Sequence, residues 1–274
     1  MHASSPMPSM GVLKLAGSGD RFQLSRVAPS PEAGRFVLHY WIVRWNIPEP
    51  FTHRQEVVPN PCVNLVVEPG RTLIYGAAKA KYAKELTGQG CVFGVKFRPG
   101  GFYPFFGKPM DSLAERPIPV SNVFPAAGAA LEADLLTMND DNRMAAYMEN
   151  IIVQRLPKPD DNVELIHQII EQVKADHGLT KVDELCERFF IHKRKLQRLF
   201  EQYVGVSPKW IIRLYRLQNA AELIDRGETH DWLRLSMDLG YHDQAHFIKE
   251  FKAVIGKTPE EYMRQPAGGQ ASHA

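Results

Sequence analysis

Apolar positions change their spacing along this chain. Between residues 35 and 98 they come in short runs rich in β-branched and aromatic side chains, at 36–45, 55–58, 63–67, 72–75 and 91–97. Pro48, Pro50, Pro59, Pro61, Pro69-Gly70 and Pro99-Gly100 punctuate these runs, which predicts several short strands in a small barrel or sandwich. The aromatic cluster Phe102-Tyr103-Pro104-Phe105-Phe106 follows, as a lid on that core or a wall of a pocket. The spacing then becomes helical. Helices are predicted at 123–136 and 140–156, the second with Met144, Tyr147, Met148, Ile151, Ile152 and Leu156 at steps of three and four. Asp140-Asp141 suits the N-terminal dipole of that helix. Its apolar stripe serves equally to pack on the strands or to dimerise.

Two prolines and a run of charge in Leu156-Pro157-Lys158-Pro159-Asp160-Asp161-Asn162 break the helix and read as a linker. Asn162 is placed to cap the next helix, whose Val163, Ile166, Ile169, Ile170 and Val173 begin a second core. On a helical wheel with Leu196 at zero, Leu199, Phe200 and Tyr203 fall within roughly 60°, whereas Arg194, Gln197, Arg198 and Glu201 fall at about 100° to 200°. One face is apolar and the other basic. A shorter amphipathic helix with Val182, Leu185 and Cys186 precedes it, joined through the tight segment Arg188-Phe189-Phe190-Ile191. Helix, turn and basic helix predict a helix-turn-helix whose second helix is sized for a major groove.

The pattern returns some fifty residues on. A helix over 231–239 buries Trp232, Leu235 and Leu239, Gly240 is an αL stop, and Asp243 caps a helix carrying Phe247, Phe251 and Val254. Between the units a helix is predicted over 208–226, with Ser207 as its cap and Pro208 in its first turn. Such a helix should hold the two recognition helices about one duplex turn apart, roughly 34 Å.

The strings Leu-Gln-Arg-Leu-Phe (196–200), Tyr-Val-Gly-Val-Ser-Pro (203–208), Leu-Gly-Tyr-His-Asp-Gln-Ala-His-Phe-Ile-Lys-Glu-Phe-Lys (239–252) and Gly-Lys-Thr-Pro-Glu-Glu-Tyr (256–262) resemble the C-terminal DNA-binding domain of AraC/XylS-type transcriptional regulators. Further upstream, Gly94-Val95-Lys96-Phe97-Arg98-Pro99-Gly100-Gly101-Phe102 resembles the end of the β-rich, cupin-like N-terminal domain of one branch of those regulators. Together the patterns imply an α+β chain: flexible ends at 1–20 and 265–274, a β-rich sensor and dimerisation domain at 21–156, a linker at 157–162, and an all-α domain with two helix-turn-helix units at 163–264.

Charge refines this picture. The whole chain has a formal charge of +2, but residues 160–274 hold 16 Lys and Arg against 18 Asp and Glu. Phosphate contact depends on local charge, and Arg188, Lys193, Arg194, Lys195 and Arg198 fall together. Three basic residues at the start of a helix oppose its dipole, a cost that an adjacent phosphate would reverse. By resemblance, base edges are read by Arg194, Gln197 and Arg198 in the first unit and by Gln244, Ala245, Ile248 and Lys249 in the second; Lys193, Arg213, Arg216 and Lys252 suit the phosphate backbone.

The chemistry of catalysis is sparse. No G-x-S-x-G, G-x-x-x-x-G-K-[ST] or G-x-G-x-x-G string occurs. His242 and His246 are four apart but straddle the cap at Asp243, so no metal and no cofactor is expected. Cys62, Cys91 and Cys186 are too scattered for a disulfide framework and read as reduced thiols. With 44% hydrophobic residues, no long apolar run and no secretory leader pattern, the chain reads as a cytoplasmic protein without a membrane span. Aromatics including Tyr40, Trp41, Trp45, Phe51, Tyr75 and Phe93 predict a pocket in the β-rich domain, with His39, Trp41, His53, Asn64, Tyr75 and Arg98 as candidate effector contacts. The implied function is sequence-specific regulation of transcription, with double-stranded DNA and a small-molecule effector as ligands and a homodimer or RNA polymerase as further partners. Two alternatives stay open: a cupin-type small-molecule enzyme carrying DNA-binding helices, and a regulator whose N-terminal domain only makes protein contacts.

Overall fold

A computed structural model of the chain describes residues 22–114, 116–127, 130–229 and 231–264; the expected flexible ends lie outside them. The N-terminal part contains strands β1 (Phe22–Val27), β2 (Val37–Ile47), β3 (His53–Val57), β4 (Asn64–Val67), β5 (Leu73–Tyr75), β6 (Tyr82–Leu86), β7 (Gly88–Phe97) and β8 (Ile118–Pro119). Six form one antiparallel sheet in the order β1-β2-β7-β4-β5-β8, and β3 pairs with β6 in a second sheet. Of the two architectures expected, this is sandwich-like, and a cavity lies inside it.

Strand alternation decides which residues meet that cavity. Successive side chains on a strand point to opposite faces. Tyr40 and Ile42 of β2, with Phe93, Val95 and Phe97 of β7, belong to the large apolar core, while His39, Trp41, Val43 and Trp45 line the cavity on the other face. The core is closed by short helices α1 (Tyr103–Phe106) and α2 (Leu131–Leu136) and by α3 (Asp141–Val153). The aromatic cluster is thus a core lid: Phe102 and Phe105 pack edge-on against Phe97 at 4.9 and 5.8 Å. The stripe of α3 is likewise spent internally, with Met144, Met148 and Ile152 in the same core.

The helix expected over 123–136 is only α2, preceded by 3-10 turns at Val120–Asn122 and Pro125–Ala127. Pro125 disfavours helical backbone at Phe124 before it, so a helix does not run on from 123.

The C-terminal part is helical: α4 (Asp161–Ala175), α5 (Val182–Arg188), α6 (Lys193–Tyr203), α7 (Pro208–Asp225), α8 (Trp232–Asp238), α9 (Gln244–Ile255) and α10 (Pro259–Met263). Asp160, not Asn162, caps α4 by accepting from the Asn162 N–H at 2.8 Å. The Asn162 amide instead donates to the Tyr203 hydroxyl at 3.1 Å, which donates to Asp160 at 2.8 Å. Ser207 caps α7 through the Trp210 N–H at 3.2 Å. α7 threads two cores, giving Ile211 and Ile212 to the first and Leu214, Leu217 and Ile224 to the second.

The two parts touch. The Tyr103 and Tyr203 rings lie 4.0 Å apart, and Gln218 donates to the Pro59 carbonyl at 3.4 Å. Gly205, at φ +80°, sits so close to the turn Met110–Leu113 that a Cβ there would stand 2.9 Å from the Met110 backbone.

Candidate nucleic-acid interface and ligand cavity

Both helix-turn-helix turns are built by one device. After α5 the Ile191 N–H reaches back to the Cys186 carbonyl at 3.0 Å and Phe190 N–H to Glu187 at 3.4 Å; after α8 the Tyr241 N–H reaches Ser236 at 2.9 Å and Gly240 N–H reaches Met237 at 2.8 Å. These paired bonds are a Schellman closure, which needs a left-handed residue at its centre. Gly240 supplies φ +72° and Phe190 supplies φ +49°. The recognition helices α6 and α9 therefore leave their turns in matching fashion.

On α6 the apolar face, Leu196, Leu199, Phe200 and Tyr203, is buried, and Arg194, Lys195, Gln197 and Arg198 are exposed. Its first turn holds no acidic residue, and its cap is a long contact in which His192 Nδ1 accepts from the Arg194 N–H at 3.4 Å. Arg194, Lys195 and Arg198 form no ion pair among the described residues. Lys193 is different: it pairs with Asp183 at 2.9 Å, which holds its ammonium above the ordinary lysine range. Arg188 pairs with Asp176 at 2.5 Å.

The second unit is plainer. Asp243 caps α9 strongly, accepting from the His246 N–H at 2.7 Å. Ala245, Lys249 and Lys252 are exposed, Gln244 is half-buried, and Ile248 packs against the second helical core. Glu250 gathers the nearby cations: Arg213 approaches at 3.5 Å, and the Tyr241 hydroxyl donates to it at 2.8 Å. Arg216, expected at the phosphate backbone, is turned inward instead. Its side chain is only 13% exposed, 4.0 Å from Glu250, with its guanidinium 4.1 Å over the Tyr241 ring.

The N-terminal cavity measures about 740 Å³. Strand register orders its wall into rows. His39, Lys96, Asn64 and Tyr75 stand opposite one another across β2, β7, β4 and β5. Two residues along, Arg26 pairs with Trp41, which pairs with Gly94; farther on come Leu24, Val43 and Val92, then Phe22, Trp45 and Gly90. Gly94 and Gly90 have a specific use, since a Cβ on either would collide with the indole of Trp41 or Trp45. Of the candidate effector contacts, His39, Trp41, Asn64 and Tyr75 line this cavity. Two do not. Arg98 donates to the Gly34 carbonyl at 2.7 Å and faces a smaller cavity of about 280 Å³ beside His167 and Tyr215, while His53 packs on the Phe22 ring at 5.1 Å. Tyr40 and Phe93 are in the core and Phe51 lies on the surface. Arg26, Lys96 and Arg71, which the sequence did not single out, line the cavity. Burial, with Lys96 and Arg26 adding to it, pushes the His39 imidazole down to about 3.

No helix among the described residues is long and apolar enough to cross a membrane, and none of their His, Cys, Asp and Glu side chains form a group of three or more suited to a metal. The three cysteines are free.

Residues 25–119 match a domain of unknown function (DUF6597), and residues 185–265 match a helix-turn-helix domain. An uncharacterized HTH-type transcriptional regulator of Haemophilus influenzae is 26% identical over 119 residues, 43% of this chain and 40% of that protein. The HTH-type transcriptional regulator ArgR of Pseudomonas aeruginosa is 26% identical over 103 residues, 38% of this chain and 31% of its own length. The chain thus spans well under half the length of these curated relatives. Among solved structures, ToxT from Vibrio cholerae aligns over 89% of this chain and 97% of its own at 13% identity and a TM-score of 0.38. A probable AraC family transcriptional regulator from Rhodopseudomonas palustris aligns over 36% of this chain and 93% of its own at 23% identity and a TM-score of 0.33.

Proposed function

From a C-terminal domain that is a helix-turn-helix domain of the AraC type, we propose that the chain is a sequence-specific DNA-binding regulator of transcription whose N-terminal domain binds a small organic effector. It is a binder and not an enzyme. Such a regulator works in the cytoplasm on double-stranded DNA, and acts through a second copy of itself or through RNA polymerase.

One observation carries the DNA reading. The exposed face of α6 presents Arg194, Gln197 and Arg198 without an ion pair among the described residues, on a helix whose start is cationic where its own dipole favours anions. Arginine can take guanine and glutamine adenine in bidentate fashion, each worth about 1 to 3 kcal/mol of discrimination. On α9, Ala245 and Ile248 offer only apolar contact, so sequence selectivity resides mainly in α6. α7, at 18 residues and about 1.5 Å per residue, is about 27 Å long, a length suited to holding α6 and α9 in successive grooves. Lys249 and Lys252, exposed on α9, serve the phosphates, with Arg213 beside them.

The test is a fluorescence-anisotropy titration at two salt concentrations, against duplexes enriched by the chain from a random pool and against scrambled duplexes. Arg198→Ala should cost about 1 to 3 kcal/mol on the enriched duplex and little more than one lost charge on the scrambled one. Lys249→Ala should weaken both alike and lower the salt slope by about one. Equal losses for Arg198→Ala on the two duplexes would reduce that residue to a backbone contact, and failure to enrich any sequence would remove the regulator reading.

A further inference from the structure

The rows of the N-terminal cavity are graded. At one end lie His39, Lys96, Asn64 and Tyr75, one row on lies Arg26 beside Trp41, and beyond them the β1–β2–β7 side of the wall is apolar as far as Trp45, with Gln55 and the Glu68–Lys84 pair facing or flanking it. Rows two residues apart are separated by about 6.8 Å, so polar and apolar ends are set well apart. The charges are one-sided. Arg26, Arg71, Lys79, Lys84 and Lys96 line the cavity, and Glu68, the one lining carboxylate among the described residues, is paired with Lys84.

Resting on the reading of this cavity as an effector site, we propose that its ligand is an amphipathic organic anion, with a carboxylate at the His39–Lys96–Asn64 end and a planar apolar body along Trp41 and Trp45. The glycines argue for a planar body. Gly94 and Gly90, opposite the two tryptophans, leave room for each indole to lie down against the sheet and present a ring face rather than an edge. Asn64 and Tyr75 can donate hydrogen bonds to a carboxylate. Lys96 is 6% exposed, and its burial, with Arg26 nearby, holds its ammonium below the ordinary lysine range. A ligand carboxylate within a few ångströms would favour the charged form of that ammonium.

Calorimetric titration of the full chain with 2-naphthoate, 2-naphthamide and 2-naphthylmethylamine compares three head groups on one apolar body. Naphthoate should bind at least tenfold more tightly than the amide, and the amine more weakly than either. Arg26→Gln, at a half-buried position, should remove most of the preference for the acid and leave the Kd of the amide within twofold. Lys96→Met, which keeps the buried aliphatic stem, should do the same, with a thermal melt to confirm that it folds. Equal Kd values for acid and amide, or tighter binding of the amine, would overturn the anionic ligand and leave an effector cavity standing. Heat from none of the three, with unchanged tryptophan fluorescence, would overturn both the ligand and the cavity's role, while the DNA titration still decides the regulator reading separately.

Discussion

Phe190 stands where the second turn has Gly240. It holds φ +49° and is 97% exposed, so no packing repays the strain. A left-handed conformation costs an ordinary residue roughly 1 to 2 kcal/mol, whereas glycine adopts it freely but gives up about 0.5 to 1 kcal/mol of chain entropy on folding. Phe190→Gly should therefore raise stability by about 0.5 to 1 kcal/mol, seen as a higher urea midpoint with an unchanged slope. His39 gives a second expectation. Its folded-state value of about 3 lies below the ordinary 6.5 because the ring is buried and faces Lys96 and Arg26. Between those values the unfolded chain takes up a proton that the folded chain refuses, so stability falls as pH drops below about 6.5. His167, also lowered by burial with Arg98 nearby, acts in the same direction. Urea midpoints at pH 7 and pH 5 should show a flatter dependence for His39→Gln, by at most about 1.4 kcal/mol per pH unit, even if that variant is less stable at pH 7.

Elements with strong local signals were legible in the sequence. Ser207-Pro208 and Asp243 mark the starts of α7 and α9 as expected, because an N-cap is a contact between near neighbours in sequence. Other elements were not legible. β6 alternates Tyr82, Ala83, Lys84 and Glu85 with little apolar weight, and only its pairing with β3 makes it a strand. β1 lies inside the expected β-rich domain but before the apolar runs of 35–98, and is fixed by β2 along its full length. The cap at Asp160 was misread because Asn162 is equally suited chemically, and its side chain is claimed by Tyr203, 41 residues away. The start of α6 is a case where local chemistry opposes stability. Lys195 is at the third helical position, and Lys195→Glu would complement the dipole there, stabilising the fold by about 0.3 to 1 kcal/mol. The same change should weaken DNA binding, so melting temperature and anisotropy should move in opposite directions. A variant that is both more stable and equally tight on DNA would remove Lys195 from the interface.

At the scale of the whole molecule, the helical domain could be read from strings of neighbouring residues; a pocket and four of its contacts, His39, Trp41, Asn64 and Tyr75, could be read as well, but not the arrangement of that pocket. Its polar row joins His39, Asn64, Tyr75 and Lys96 from four strands, and only the antiparallel register brings them together. Nothing local separates Arg98 from Lys96, yet alternation on β7 sends Lys96 into the cavity while Arg98 lies beyond the strand's end. The same assembly links cavity to recognition helix. Leu113 lines the cavity, and Met110 in the same turn lies against Gly205, just past the end of α6. Tyr103 packs on Tyr203 of α6 and accepts a hydrogen bond from Gln202. A ligand that shifts this turn has a direct mechanical hold on α6. Coupling of this kind commonly amounts to about 5- to 150-fold in affinity and is reciprocal. In the wild-type chain, saturating 2-naphthoate should change the Kd for the enriched duplex at least fivefold, and the duplex should change the Kd for naphthoate by the same factor. Tyr103→Ala, which removes the ring contact without touching the cavity or the DNA face, should cut both effects below twofold and leave each Kd measured alone within twofold of wild type. Full coupling in that variant would show that the signal does not pass through this contact, and would turn attention to the remaining bridges, the contact of Met110 with Gly205 and the hydrogen bond from Gln218 of α7 to Pro59.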